Sequence, residues 1–152
     1  MLSGAATNGR KVTTLVLDKP DTKLEYVPPA PFGALVLWSG KPDKPDVKAL
    51  AKRLLEGGCG FATLRAGKLT EKLHTWFDEA VVDHQLKADR DADLQTSGNA
   101  EDSIEEACRD AVFEAQPAFE KPYTDLLVLA LGPDAQTDSE RAHALAQKVE
   151  RE

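Results

Sequence analysis

Six polar side chains stand beside glycines at the ends of short apolar runs: Ser39, Lys41, Arg65, Lys68, Ser97 and Asn99. Ser39 and Lys41 flank Gly40, Arg65 and Lys68 bracket Ala66-Gly67, and Ser97 and Asn99 flank Gly98. A fourth run ends in Ala130-Leu131-Gly132. Their hydroxyl, amide, ammonium and guanidinium donors suit an anionic or polar ligand such as a phosphate or carboxylate. In an open parallel α/β sheet, ligands bind in the crevice beyond the carboxyl ends of the strands, where glycine leaves room. The competing reading is structural: glycine is the residue that leaves a strand with least steric cost, and polar residues are ordinary loop surface.

No catalytic residue follows from these patterns. Ser39 and Ser97 lack the G-x-S-x-G context of an activated serine. Glu101, Asp102 and Asp134 could face the crevice as acids or bases, but they equally suit capping and solvation. His74, His84 and His143 lie outside the strand-end segments, and His74 stands one helical turn before Asp78, the spacing of a surface pair. No H-E-x-x-H or C-x-x-C spacing is present, so no metal is expected. The segment Gly60 to Lys68 shares only its closing Gly-Lys with a phosphate loop, and Ser39-Gly40-Lys41-Pro42 replaces a dinucleotide fingerprint, so no cofactor is expected either.

These residues need elements to position them. The 152 residues carry 19 Lys+Arg against 26 Asp+Glu, a net charge of −7, with 41% hydrophobic and 30% charged residues. That balance supports a single core and disfavours a nucleic acid partner, whose phosphates require a surplus of basic contacts. The first ten residues lack a basic start and an apolar run and read as a flexible terminus rather than a signal peptide. The longest apolar runs, Ala34 to Trp38 and Leu126 to Leu131, fall far short of the roughly 18–20 residues of a membrane span. Cys59 and Cys108 are too few for a disulfide framework and read as buried, inert thiols of a cytoplasmic protein.

Val12 to Leu17 and Lys23 to Val27, separated by a turn-forming stretch, predict an N-terminal hairpin within residues 11–27. Pro28, Pro29 and Pro31 then interrupt regular structure. From 33 to 132 apolar runs alternate with amphipathic stretches, the pattern of a parallel sheet covered by helices. Strands are expected at Ala34 to Trp38, Phe61 to Arg65, Leu94 to Ser97 and Thr124 to Leu131, the last beside the first. Helices are expected at Pro45 to Glu56, Lys68 to Gln85, Ala100 to Ala115 with Asn99 as N-cap, and Ser139 to Glu152. Lys87 to Asp93 reads as a charged connection, and Pro117 and Pro122 as the break after the third helix. Residues 133–152 read as a polar helix or tail, loosely docked or facing a partner. The fold class is thus α/β: three layers, a four-stranded mainly parallel sheet with helices on both faces, preceded by a β-hairpin.

The order Ala30-Pro31-Phe32 into a strand, Gly58-Cys59-Gly60 before Phe61 to Gly67-Lys68, the Trp76/Asp78 helix, Leu94 to Glu106, and the apolar strand at Leu126 to Leu131 resembles a family of small bacterial α/β, Rossmann-like domains of unknown function. The resemblance covers roughly Ala30 to Gly132 and implies a bacterial cytosolic protein with no assigned activity. Three functions are therefore expected in order: a non-catalytic binding or accessory module with a protein partner or a small polar ligand at the strand ends; a small hydrolase or transferase on a nucleotide-like or phosphorylated substrate; and a homo-oligomeric scaffold joined by the C-terminal helix.

Overall fold

The computed structural model describes residues 1–88, 94–114 and 123–151. Among these, six strands form one sheet: β1 (Leu2–Ala5), β2 (Lys11–Val16), β3 (Phe32–Trp38), β4 (Cys59–Arg65), β5 (Gln95–Ser97) and β6 (Asp125–Leu131). Their order is β1-β2-β6-β3-β4-β5, parallel throughout except for the antiparallel β1–β2 pair. Four α-helices accompany it: α1 (Lys44–Gly57), α2 (Thr70–Ala88), α3 (Ile104–Arg109), which continues as a π-helical turn over Asp110–Glu114, and α4 (Ala135–Ala146). None is long and apolar enough to cross a membrane among the described residues.

Alternation along the strands divides the core into two layers. Ala34, Val36 and Trp38 of β3 and Leu127, Leu129 and Leu131 of β6 point toward α1 and α2, where they meet Val47, Leu50, Leu54, Leu73 and Phe77. Leu35, Leu37, Leu126, Val128 and Ala130 point the other way, onto Ile104, Ala107, Cys108, Ala142 and Ala146 of α3 and α4. Every residue of β3 and β6 is buried, as their unbroken apolar runs require of strands covered on both faces. α1 begins where Asp43 accepts a hydrogen bond from Asp46 N and ends where the Gly58 N–H closes on the carbonyls of Leu54 and Leu55.

Four expectations are corrected. The sheet has six strands, not four. The hairpin is present but shifted: β2 pairs with β1 rather than with Lys23 to Val27, which forms no strand, and the terminus read as flexible contains β1. β2 also lies parallel to β6 from Lys11↔Asp125 to Val16↔Ala130, so its apolar side chains enter the main core. Helix α3 starts at Ile104 with Ser103 as N-cap. The Ser103 hydroxyl accepts from Glu106 N at 3.1 Å and the Glu106 carboxylate accepts from Ser103 N at 3.3 Å, a reciprocal box that satisfies two end donors, whereas Asn99 only accepts from Glu101 N in a local turn. Helix α4 begins four residues before Ser139 and buries Ala135, Ser139, Ala142, His143 and Ala146. The connection at 89–93 and the proline-marked segment at 115–122 lie outside the described residues.

Candidate functional site

The parallel strands bring their carboxyl ends to one rim of the sheet. All four strand-end glycines, Gly40, Gly67, Gly98 and Gly132, adopt positive φ. The order of connection reverses between β3 and β6, because the chain leaves β3 toward β4 and β5 and returns on the other side. That is where the fold would open a crevice.

Here the exits of β3 and β6 are tied to each other. The Ser39 hydroxyl donates to Leu131 O at 3.1 Å and accepts from Asp134 N at 2.9 Å, while Ser39 N donates to Leu131 O at 2.9 Å. Gly132 sits so close that an added Cβ would lie 2.0 Å from the Ser39 carbonyl oxygen. Ser39 therefore joins the β3 and β6 exits and is engaged with the backbone on both sides. Ser97 is similarly occupied: its hydroxyl donates to the Asp110 carboxylate at 2.6 Å, which also accepts from Thr63 at 3.1 Å. This trio ties β4 and β5 to the start of the π-helical turn.

The remaining candidates lie at the exit of β4. Arg65 is half-buried, and its Nε donates to Asp102 O at 3.0 Å, fixing the guanidinium against the approach to α3. No carboxylate among the described residues comes within ion-pair distance of it. The following turn is rigid, since Thr70 Oγ1 accepts from Ala66 N at 2.9 Å and donates to Gly67 O at 2.7 Å. Lys68 rises from that turn and Lys41 from the β3 exit; both are exposed and make no hydrogen bond or ion pair among the described residues. Of the six residues singled out by sequence, Arg65, Lys68 and Lys41 thus keep free donors, Asn99 keeps its amide nitrogen, and Ser39 and Ser97 serve the scaffold.

The electrostatics add a residue that sequence reasoning passed over. Asp138, in the first turn of α4, and Asp102 both have carboxyls raised above the ordinary range, in each case chiefly by burial. Glu106 and Asp110 add to the rise at Asp102, Asp134 adds to it at Asp138, and Arg65 opposes it at both. Arg65 is thus a positive group that acts on both carboxyls, and Arg141 acts on Asp138 as well. Starting the last helix at Ser139 hid Asp138; the Gly132-Pro133 turn, which allows an immediate helix, was the available signal.

A carboxyl raised by folding penalises the folded state once both states ionise. The extra stability is complete below the unfolded pKa of about 3.9 and is lost as pH rises through the folded value. Asp102→Asn is accordingly expected to raise the melting temperature at pH 7 by about 1–2 °C, a small effect because the group is only partly buried. Thermal denaturation from pH 7 down to about pH 3.5 should show the difference vanishing. A variant less stable than the parent at pH 7 would refute the sign.

The other chemistry-bearing groups are internally satisfied. Burial pushes Cys59 and Cys108 each up to about 12, so neither is a thiolate at neutral pH. His74 stands against Asp78 at 3.4 Å as the helical spacing implied, with Thr96 of β5 hydrogen-bonded to both. Asp78 contacts the same ring nitrogen as Thr96, which is not the arrangement of a catalytic triad, where the carboxylate holds the opposite nitrogen. His143 is buried, with Nδ1 2.7 Å from Thr14 Oγ1. Among the described residues, no three of His, Cys, Asp and Glu converge as a metal would require. A groove of about 470 Å³ runs beside α1 and α2, but its lysine, Lys48, pairs with the carboxylates that line it, Asp83 at 3.1 Å and Glu79 at 3.7 Å.

Fold and rim together define a three-layer α/β domain whose strand ends present one anchored arginine among carboxyls. The chain matches a domain of unknown function, DUF7684, over residues 13–148 and belongs to that family. The resemblance to an α/β family of unknown function is thereby borne out. Comparison with curated proteins found no match, and neither did comparison with solved structures.

Proposed function

We propose that this domain is a non-catalytic binding or accessory module that holds a small anionic ligand at the exit of β4. The reading is carried by Arg65: it is half-buried and held at Nε by Asp102 O, and its two terminal nitrogens have no ion-pair partner among the described residues. A guanidinium fixed at one edge and open at the other is pre-organised for bidentate contact with a carboxylate or phosphate. Lys68, three residues on, supplies a second positive charge from a rigid turn.

The test is a thermal-shift series with inorganic phosphate, nucleotides, sugar phosphates and carboxylates, repeated on Arg65→Ala and Lys68→Ala. A ligand at ten times its Kd is expected to raise the melting temperature by about 3–6 °C. Arg65→Ala should abolish that shift and Lys68→Ala should reduce it. No shift with any anion, or a shift unchanged in Arg65→Ala, overturns the reading.

One observation favours a second reading, a small hydrolase or transferase on a phosphorylated substrate. Asp102 retains its proton to higher pH than an ordinary carboxylate and lies within the field of Arg65, which suits a general acid beside an anion-binding group. Turnover of a generic phosphate ester, lost in Asp102→Asn while binding persists, would promote this reading over the first. The scaffold reading finds less support, because α4 places its apolar side against the sheet.

A further inference from the structure

At the opposite side of the sheet from β5, β1 leaves a strand edge open. Ala6 N donates to Arg10 O at 2.8 Å, and in the antiparallel register Gly4 faces Val12 and Leu2 faces Thr14. By the alternation of antiparallel ladders, Leu2 and Gly4 bond toward β2, whereas the N–H and C=O groups of Ser3 and Ala5 point outward. Both residues are exposed, and neither has a hydrogen-bond partner for these groups among the described residues.

Natural edges of this kind are protected by lysine, proline or a bulge. β1 is short, at four residues, but has no lysine, proline or bulge. No side chain from Met1 to Gly9 is charged, in a chain with 30% charged residues. Met1, Leu2 and Val16 are exposed apolar side chains on or beside the same edge. Copies of a protein with net charge −7 repel each other, and they meet with least repulsion along an edge that carries no charged side chain.

We propose that β1 pairs antiparallel with β1 of a second copy, joining two six-stranded sheets into one. A two-fold axis at Gly4 places Ser3 of each copy opposite Ala5 of the other, so all outward groups of these two residues are satisfied reciprocally. At the centre Gly4 meets Gly4, each with the Gln147 side chain of its own copy packed over one face, and each Leu2 lies beside Ala6 of the second copy. The contact is small, and the association is correspondingly weak and concentration-dependent.

Sedimentation equilibrium of the full chain, from about 10 µM to about 1 mM, provides the test. The mass is expected to climb from 16.5 kDa toward twice that value. Ser3→Pro removes one outward donor without touching the β2 ladder, and Ala5→Lys introduces an edge charge at an exposed position. Both should hold the mass at 16.5 kDa at every concentration, and Ala5→Lys, directly opposite Lys11, should lower the melting temperature of dilute protein by no more than about 4 °C. A parent that stays monomeric at the highest concentration overturns the proposal; so do variants that dimerise like the parent, which would place the contact on another surface. Should Ser3→Pro unfold, Ala5→Lys decides alone, since its side chain points into solvent.

Discussion

Gly132→Ala is expected to destabilise the domain by about 3 kcal/mol and lower its melting temperature by about 6–12 °C. Two costs combine at this position. A φ of +93° is disfavoured for any residue with a Cβ, and that Cβ would stand 2.0 Å from the Ser39 carbonyl oxygen, so the joined exits of β3 and β6 would have to separate. Gly67→Ala is the control, for it also has positive φ but nothing within 4 Å of the added atom. Its cost should be about 1 kcal/mol, the conformational part alone. Chemical denaturation of both variants measures the difference, and equal losses would show that the contact with Ser39 is unimportant.

The second large effect is expected at the turn between β1 and β2. Arg10 is 5% exposed, and its Nη1 donates to Ala111 O at 3.1 Å, while Asn8 Nδ2 donates to Val112 O at 3.0 Å. Ala111 and Val112 belong to the π-helical turn, whose wider spacing takes carbonyls out of the ordinary helical ladder. The hairpin donates to both of these carbonyls from outside the turn. Burial holds the Arg10 guanidinium below its usual range, with Tyr123 opposing, so this charge is costly to bury. Arg10→Ala leaves a buried carbonyl without this partner and should cost about 2–3 kcal/mol. Arg10→Met restores the aliphatic packing without the donor and should fall between Arg10→Ala and the parent. Identical stability of Arg10→Ala and the parent in a denaturant titration would remove this account.

How far the chain could be read in advance follows from the range of the forces involved. β3, β4, β6, α1 and α2 stand within a few residues of their expected places because their signals are local. Ala34 to Trp38 and Leu126 to Leu131 are apolar on both faces, and the stripe through Val47, Leu50 and Leu54 repeats at the helical period. The start of α3 was also written locally, in Ser103 and Glu106, but Asn99 offered a second cap four residues earlier. Choosing between them needs the hydrogen bonds themselves.

At the rim, residue order alone dictates which donors and glycines gather at the strand ends, since strand direction follows from the alternation of strand and helix. Which of these donors stay free depends on contacts made once the whole chain has folded. Ser39 is taken up by Leu131 and Asp134, and Ser97 by Asp110, through bonds between segments distant along the chain. The same holds for β2, whose place beside β6 rests on pairing Val12 with Leu126. A residue's type fixes what it can bond and which conformations it prefers; its partner is chosen by close packing of the whole chain, and that choice leaves Arg65 open and Ser39 closed.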